Sequence, residues 1–211
     1  MPSIIEQVLP SITERIDQIV FDQRLPGLAV GIVRDQEFVW SAGFGYSDME
    51  TKCRPDKDTI SRVASITKTF TATAIMQLRD DGLLTLDDSL VEYLPEFSAV
   101  NPRAGTVEGV TIRRMLAHRS GLVTESPFPC WDALEFPSRE AMLAALPQTE
   151  IVIPQDSAFK YSNLAFGLLG EVISRLSGRP YFEYMQAEIL EPLGLTSSVF
   201  ELTKELRPRM A

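Results

Sequence analysis

The chain has 211 residues, a hydrophobic content of 45% and a formal net charge of −9 at pH 7. Its length and hydrophobic content suffice for one large or two small globular domains with a real core. The acidic balance, without a Lys/Arg run or a basic helix face, argues against binding to nucleic acid.

The N-terminal segment predicts an amphipathic helix that runs to about Gln23, before Pro26 and Gly27 end it. The apolar residues at helical spacing are Ile12, Ile16, Ile19 and Val20. Acidic residues lie among them and no basic leader region precedes them, which is atypical of a signal peptide or a membrane span. We therefore expect a cytoplasmic protein that does not interact with a membrane.

Two apolar runs follow the first helix, "LAVGIVRD" and "EFVWSAGFGYSD", joined around Asp35-Gln36. Their β-rich composition predicts an antiparallel hairpin. Gly43-Phe44-Gly45 opens no helix, so it favours a strand end or a bulge over a phosphate-binding loop. The residues expected to face inward are Ala29, Gly31, Val33, Val39 and Ser41.

The hydrophobic period changes to that of a helix at Ser65, and Asp81-Gly82 supplies the stop after roughly 17 residues. Beyond it we predict further helices in "TLDDSLVEYL", in "VTIRRMLAHRSGL" capped by Thr111 and in "PSREAMLAAL" capped by Ser138. The last two helices are "SNLAFGLLGEVISRLSG", stopped by Gly178, and "PYFEYMQAEILEPLGL", broken at Pro192. Helices thus outnumber strands, which comprise one hairpin and a short strand before Val63.

The two cysteines, Cys53 and Cys130, lie far apart without a Cys-x-x-Cys pair or neighbouring histidine. The sequence therefore indicates buried free thiols, with neither a zinc site nor a disulfide framework.

Two Ser-x-x-Lys matches are candidates for a nucleophile with its base, Ser65/Lys68 and Ser157/Lys160. Ser65 and Lys68 share a helix face at a first turn, which suits proton transfer. The competing interpretation is that Ser65 only caps the helix and Lys68 is solvated. Nothing places Ser157 and Lys160 on a common face, so we disfavour that pair.

Another cluster of polar groups, Tyr161-Ser162-Asn163, opens a later helix and offers a phenol, a hydroxyl and an amide. With "PGLAVGIV", "ASITKTFTATAIMQLRDDGLLTLDD", "VTIRRMLAHRSGL", "FKYSNLAFGLLGEVI" and "ILEPLGLTSS" in this order, the chain resembles the serine β-lactamase and penicillin-binding-protein superfamily. The resemblance is to its branch of class C β-lactamases, family VIII esterases and D-aminopeptidases.

The resemblance implies an α/β (α+β) fold of the β-lactamase-like, transpeptidase-like type, with an antiparallel sheet flanked by helices and a helical subdomain. It implies one domain over 1–211, with a helix and hairpin in 1–63 and a mainly helical region in 64–211. That fold's third motif, Lys-Thr-Gly, His-x-Gly or Trp-x-Gly, does not occur after Tyr161. We therefore expect the chain to be the N-terminal portion of the domain, without its C-terminal sheet strands.

The same resemblance implies a role for each matching residue. Ser65 would be the acylated nucleophile, Lys68 its base, Tyr161 the phenol that shuttles protons, and Asn163 the amide that orients the substrate. The backbone N–H of Ser65 would form half of the oxyanion hole. No metal and no cofactor is implied.

A Ser-His-Asp triad around His118 and Ser120 is the interpretation that this resemblance disfavours, because relatives use the histidine structurally before the Ser120-Gly121 turn. "CWDALEFP" is expected to border the pocket, although Trp131 and Phe136 could equally belong to a local core.

The predicted function is a serine hydrolase, and we favour a carboxylesterase acting on small esters because no export signal is present. The alternatives are a β-lactamase, a D-amino-acid peptidase, or a non-catalytic truncated fragment that binds without turnover. Expected partners are a small ester or amide substrate and either a C-terminal fragment of the same protein or a strand-exchanged homodimer.

Overall fold

The computed structural model describes residues 4–128 and 135–211. The chain divides into two compact units. The first comprises the residues up to Arg62 together with Val199–Ala211, and the second is Val63–Ser198.

The first unit begins with helix α1, Ile4–Asp22, followed by strands β1, Gly27–Arg34, and β2, Glu37–Gly45. The strands pair antiparallel, which confirms the predicted hairpin. Asp35 and Gln36 connect them, both with positive φ, as a tight two-residue hairpin turn requires.

The covered face of the hairpin is the opposite of the one we predicted. Cross-strand partners with partial or full burial are Leu28 with Phe44, Val30 with Ala42, and Ile32 with Trp40. Ala29, Gly31, Val33 and Ser41 are exposed, and only Val39 of the predicted set is partly covered. Because side chains alternate along a strand, the register that turns one set inward necessarily turns the other set outward.

Three smaller expectations in the first unit have different outcomes. Gly45 ends β2 with a φ of 64°, so the glycine triplet is a strand end as predicted. The expected strand before Val63 is reduced to a single parallel bridge between Ile60 and Met210. The prediction of a buried Cys53 is wrong, because it lies exposed in the turn that follows β2. Cys130 lies outside the described residues.

The helix that contains Lys68, α2, spans Thr67–Asp80 and is preceded by a 3-10 turn over Ala64–Ile66. The other regular elements of the second unit are helices α3, Ile112–Leu116, α4, Arg139–Ala144, α5, Asn163–Ser177, and α6, Tyr181–Met185, with the two-residue parallel strands β3, Asn101–Pro102, and β4, Glu150–Ile151.

The predicted helix ends of the second unit are largely confirmed. Thr111 and Ser138 cap α3 and α4 through their side chains, while Gly82 and Gly178 follow α2 and α5 with positive φ. The helix predicted in "TLDDSLVEYL" is wrong in extent, since only the 3-10 turn Leu90–Glu92 forms there. In the described ranges, no helix combines the length and apolar character needed to cross a bilayer.

The core of the second unit forms where α2 packs against α5. The buried side chains of these two helices include Ala74, Ile75, Leu78, Leu168, Leu169 and Val172. Burial of this apolar surface is the main favourable term in docking the helices, on the order of 2 kcal/mol for each large side chain. The packing brings residues from the start of α2 into contact with the start of α5, which positions the site.

Candidate active site

Ser65 lies in the 3-10 turn just before α2, with its side chain exposed. The N-cap position of α2 belongs to Ile66, and neither Ile66 nor Val63 makes a side-chain capping bond. The interpretation of Ser65 as a helix cap is therefore wrong. Its hydroxyl instead contacts two groups that we predicted to be functional, Lys68 and Tyr161.

Lys68 is the second residue of α2, and its Nζ atom bonds to two acceptors. The Nζ atom donates to Ser65 Oγ at 3.2 Å and to Asn163 Oδ1 at 2.6 Å. It also lies 4.9 Å from the ring centroid of Tyr161 and 5.6 Å from that of Phe166. Lys68 Nζ is thus held beside the serine by an amide oxygen and two aromatic rings.

Tyr161 lies just before α5 and contacts Ser65 although the two residues are distant in sequence. Its hydroxyl donates to Ser65 Oγ at 2.7 Å. Hydrogen bonding to Lys68, and then to Ser65, lowers the pKa of the Tyr161 phenol from its ordinary value. A phenol with a lowered pKa exchanges protons more readily near neutral pH, so this group is suited to acid–base work.

Asn163 is the first residue of α5, and both ends of its amide are engaged. Its Oδ1 accepts from Lys68, while its Nδ2 donates to Glu125 Oε1 at 2.5 Å. Glu125 could not be predicted from the sequence, because a single glutamate in a loop, 38 positions from its partner, has no local spacing signal. Only the folded chain brings it to the site.

The segment before α5 is held in place by Ser162. Its side chain caps the helix by accepting from the Ala165 N–H, and it donates to the Val123 carbonyl at 2.7 Å. The Thr124 carbonyl accepts the backbone N–H of Asn163 at 2.8 Å. These bonds satisfy groups that a helix start would otherwise leave unpaired, and they direct the two flanking side chains towards α2.

His118 lies beside this segment rather than beside Ser120. Its Nδ1 accepts the backbone N–H of Ser162 at 3.1 Å, and its ring lies 4.4 Å from that of Tyr161, centroid to centroid. Burial, and then the charge of Lys68, lowers the pKa of His118. The Ser120 hydroxyl is buried without a hydrogen-bond partner among the described residues. This arrangement matches a structural histidine.

The second Ser-x-x-Lys pair is not brought together. Ser157 donates to the Pro154 carbonyl at 2.6 Å, whereas Lys160 donates to Thr124 Oγ1 at 3.4 Å. Phe136 is 59% exposed, which argues against its membership of a local core. Trp131 lies outside the described residues. Among the residues that are described, no three His, Cys, Asp or Glu side chains are grouped as metal ligands would be.

Comparison with known proteins gives the same family in sequence and in structure. The model of the family described as Beta-lactamase matches residues 12–211. The curated protein "Beta-lactamase-like protein 2" of Dictyostelium discoideum is 32% identical over 201 residues, which cover 93% of this chain and 36% of that protein. The chain therefore spans little more than a third of the length of this relative.

Two solved structures share the fold. The octameric penicillin-binding protein homologue from Pyrococcus abyssi superposes with a TM-score of 0.81 and 29% identity, covering 96% of this chain and 47% of that one. EstCE1, described as a hydrolase with promiscuous acyltransferase activity, superposes with a TM-score of 0.75 and 28% identity, covering 91% and 53%. The predicted β-lactamase-like, transpeptidase-like fold is thereby confirmed.

Proposed function

The chain belongs to the β-lactamase family, and from that premise we propose that it is a serine hydrolase that forms an acyl-enzyme on Ser65. The observation that carries the proposal is the convergence of two proton-transfer groups on one oxygen. Lys68 Nζ and Tyr161 OH lie 3.2 Å and 2.7 Å from Ser65 Oγ. A serine hydroxyl becomes a nucleophile only when a positioned base removes its proton, and this geometry provides one.

Acylation in this site begins with the Ser65 proton. The base is the Tyr161 phenolate, formed when the phenol, whose pKa is lowered by Lys68, releases its proton to solvent. The phenolate takes the Ser65 proton as Oγ bonds to the acyl carbon of the substrate and the carbonyl electrons move onto the oxyanion. A hydroxyl rotates freely about its C–O bond, so the Ser65–Tyr161 hydrogen bond reverses direction when Tyr161 becomes the acceptor. The charge of Lys68 stabilises the phenolate that this step requires.

Collapse of the tetrahedral intermediate breaks the bond to the leaving group, and Tyr161 donates the proton that the departing oxygen or nitrogen needs. In deacylation the Tyr161 phenolate takes a proton from water as the water oxygen attacks the acyl carbon. The bond to Ser65 Oγ then breaks, and Tyr161 returns a proton to that oxygen. The backbone N–H of Ser65 contributes to stabilising the oxyanion in both steps. Asn163 orients the substrate.

For the substrate we propose a small carboxylic ester. Similarity over 91% of this chain to EstCE1, a hydrolase with acyltransferase activity, supports acyl transfer as the reaction. β-Lactams and D-amino-acid peptides are the competing substrate classes, in line with the family to which the chain belongs. The octameric relative supports self-association as a property of this chain as well.

The test uses the 211-residue chain with p-nitrophenyl butyrate and nitrocefin under identical conditions. We expect hydrolysis of the ester to exceed hydrolysis of the β-lactam, and faster turnover of nitrocefin would reject the esterase assignment. A burst of p-nitrophenol without turnover would instead identify a chain that acylates but does not deacylate. Mass spectrometry of the trapped adduct should place the acyl group on Ser65.

A further inference from the structure

We infer that Glu125, which bonds to Asn163, is a positioning residue of this site. Its carboxylate holds the Asn163 amide in the one orientation that presents Oδ1 to Lys68, and so determines where the lysine ammonium lies relative to Ser65. The inference rests on the proposed function, since it concerns the same nucleophile. It predicts an effect on acylation from a residue that acts through its hydrogen bond to Asn163.

The geometric basis is a continuous chain of hydrogen bonds. Glu125 Oε1 accepts from Asn163 Nδ2 at 2.5 Å, Asn163 Oδ1 accepts from Lys68 Nζ at 2.6 Å, and Lys68 Nζ also donates to Ser65 Oγ at 3.2 Å. The two hydrogen bonds of the Asn163 amide, to Glu125 and to Lys68, each have a charged partner. Hydrogen bonds of this kind are stronger than those between neutral groups.

An asparagine amide has two similar ends, and its orientation is set by its partners. Rotating the Asn163 amide by half a turn would point its NH2 group at the Lys68 ammonium and its carbonyl at the Glu125 carboxylate. Both contacts would become donor–donor or acceptor–acceptor pairs. Glu125 and Lys68 therefore favour the same orientation of the amide, and without Glu125 only the Lys68 contact opposes its rotation.

Glu125 can perform this role because its backbone is tied to the helix that carries Asn163. The Thr124 carbonyl accepts the N–H groups of Asn163 and Leu164 at 2.8 Å and 3.1 Å. The adjacent Val123 carbonyl accepts from Ser162 Oγ at 2.7 Å. A carboxylate mounted on a segment fixed in this way loses little further freedom when it bonds to the amide, as a supporting residue requires.

The charge of Glu125 has a separate consequence. It raises the pKa of Tyr161, against the larger lowering effect of Lys68. Lys68 and Glu125 both act on the Tyr161 phenol, with opposite signs, and Lys160 bonds to Thr124, the residue before Glu125. Removing the charge should lower the pKa of Tyr161 and move the pH dependence of acylation towards lower pH.

Two substitutions separate position from charge. Glu125→Ala removes the acceptor and the charge, whereas Glu125→Gln keeps a carbonyl oxygen that can accept from Asn163 Nδ2. The readout is the rate of covalent labelling by a fluorophosphonate, in which Ser65 Oγ attacks phosphorus, the P–F bond breaks, fluoride leaves and the serine proton passes to the Tyr161 phenolate. This reaction requires no knowledge of the substrate.

We expect Glu125→Ala to slow labelling by about tenfold to a hundredfold, the scale of misplacing a reacting group by a fraction of an ångström to one ångström. Glu125→Gln should label within about threefold of the unchanged chain, with its pH profile displaced to lower pH. Labelling of Glu125→Ala within about twofold of the unchanged chain would overturn the inference, and so would a Gln variant as slow as the Ala variant.

A double-mutant cycle with Asn163→Ala tests whether Glu125 acts through the amide. In the Asn163→Ala background, Glu125→Ala should have little further effect, and full additivity would contradict the inference. If Glu125→Ala has a lower melting temperature than the unchanged chain, Glu125→Met is used in its place, because methionine preserves the side-chain length without the carboxylate acceptor. Two outcomes would reject the proposed function itself rather than the role of Glu125. One is that the unchanged chain is not labelled, and the other is that Ser65→Ala is still labelled.

Discussion

The Tyr161 hydroxyl donates a hydrogen bond of 2.7 Å to Ser65 Oγ across 96 positions of sequence. This contact joins the turn before α2 to the segment before α5. It brings the phenol to the oxygen that already bonds to Lys68. The Ser65 hydroxyl, the Lys68 ammonium and the Tyr161 hydroxyl can each be removed by a single substitution.

Replacing the nucleophile should abolish covalent labelling. In Ser65→Ala we expect no fluorophosphonate adduct, because the activated oxygen is absent. Ser157→Ala is the matched control, since Ser157 belongs to the other Ser-x-x-Lys pair and bonds only locally to Pro154. Gel fluorescence and intact mass measure the adduct. Labelling that persists in Ser65→Ala and disappears in Ser157→Ala would transfer the site to the second pair.

Removing the Lys68 ammonium should slow acylation without unfolding the chain. Lys68→Ala loses the charge beside Ser65, and we expect labelling to fall by about a hundredfold or more. A partly exposed lysine adds little stability, so thermal melts should agree closely. Lys160→Ala, which removes only the bond to Thr124, serves as the control. Unchanged labelling kinetics in Lys68→Ala would contradict the proposed role.

Tyr161→Phe tests the hydroxyl while preserving the ring that stacks on His118. We expect the rate of ester hydrolysis to fall by about a hundredfold or more, the usual contribution of a positioned acid–base group. Since the pKa of Tyr161 is lowered in the site, the remaining activity should also lose the pH dependence that this phenol imposes. Tyr46→Phe provides a matched control. A rate within about twofold would exclude Tyr161 from the chemistry.

Acidification should destabilise the chain through His118. Its pKa is lowered by burial and by Lys68, so the folded state binds fewer protons there than the unfolded state. The stability associated with neutral His118 is present above the unfolded value of about 6.5 and is lost as the pH falls below it and through the folded pKa. Urea unfolding between about pH 7.5 and pH 5 measures this dependence.

His118→Asn is the control for that measurement. Asparagine tolerates the φ of 56° at this position, and its Oδ1 can accept the Ser162 N–H, but it does not titrate. The variant should lose less stability than the unchanged chain over the same pH interval. Equal losses would assign the acid sensitivity to other groups.

The hairpin of the first unit should promote self-association. Among the described residues its sheet has two strands, and Val33 and Phe38, which pair with each other, are 58% and 63% exposed. Unpaired strand edges recruit further strands. Light scattering should therefore detect species heavier than the 23.6 kDa chain, and Val33→Lys should reduce them. Val8→Lys in α1 is the control, and a monodisperse monomer would refute the prediction.

Local sequence patterns determined much of the secondary structure of this protein. Alternating β-rich runs predicted the hairpin, helical periodicity predicted α1, α2 and α5, and the caps at Thr111 and Ser138 were readable because capping involves residues three positions apart. The Ser65/Lys68 pair was accessible for the same reason, although Ser65 lies in the 3-10 turn before α2, because residues three apart in successive helical turns lie on the same side.

Tertiary structure alone decided the rest. Which face of the hairpin is covered depends on register and on what packs against it, so residues such as Ala29 could not be assigned from alternation. The contacts of Tyr161 with Ser65 and of Asn163 with Lys68 depend on the docking of α2 against α5, which residue spacing does not show. Glu125 joins the site through a loop contact 38 positions from its partner, a distance at which spacing in the sequence carries no geometric information.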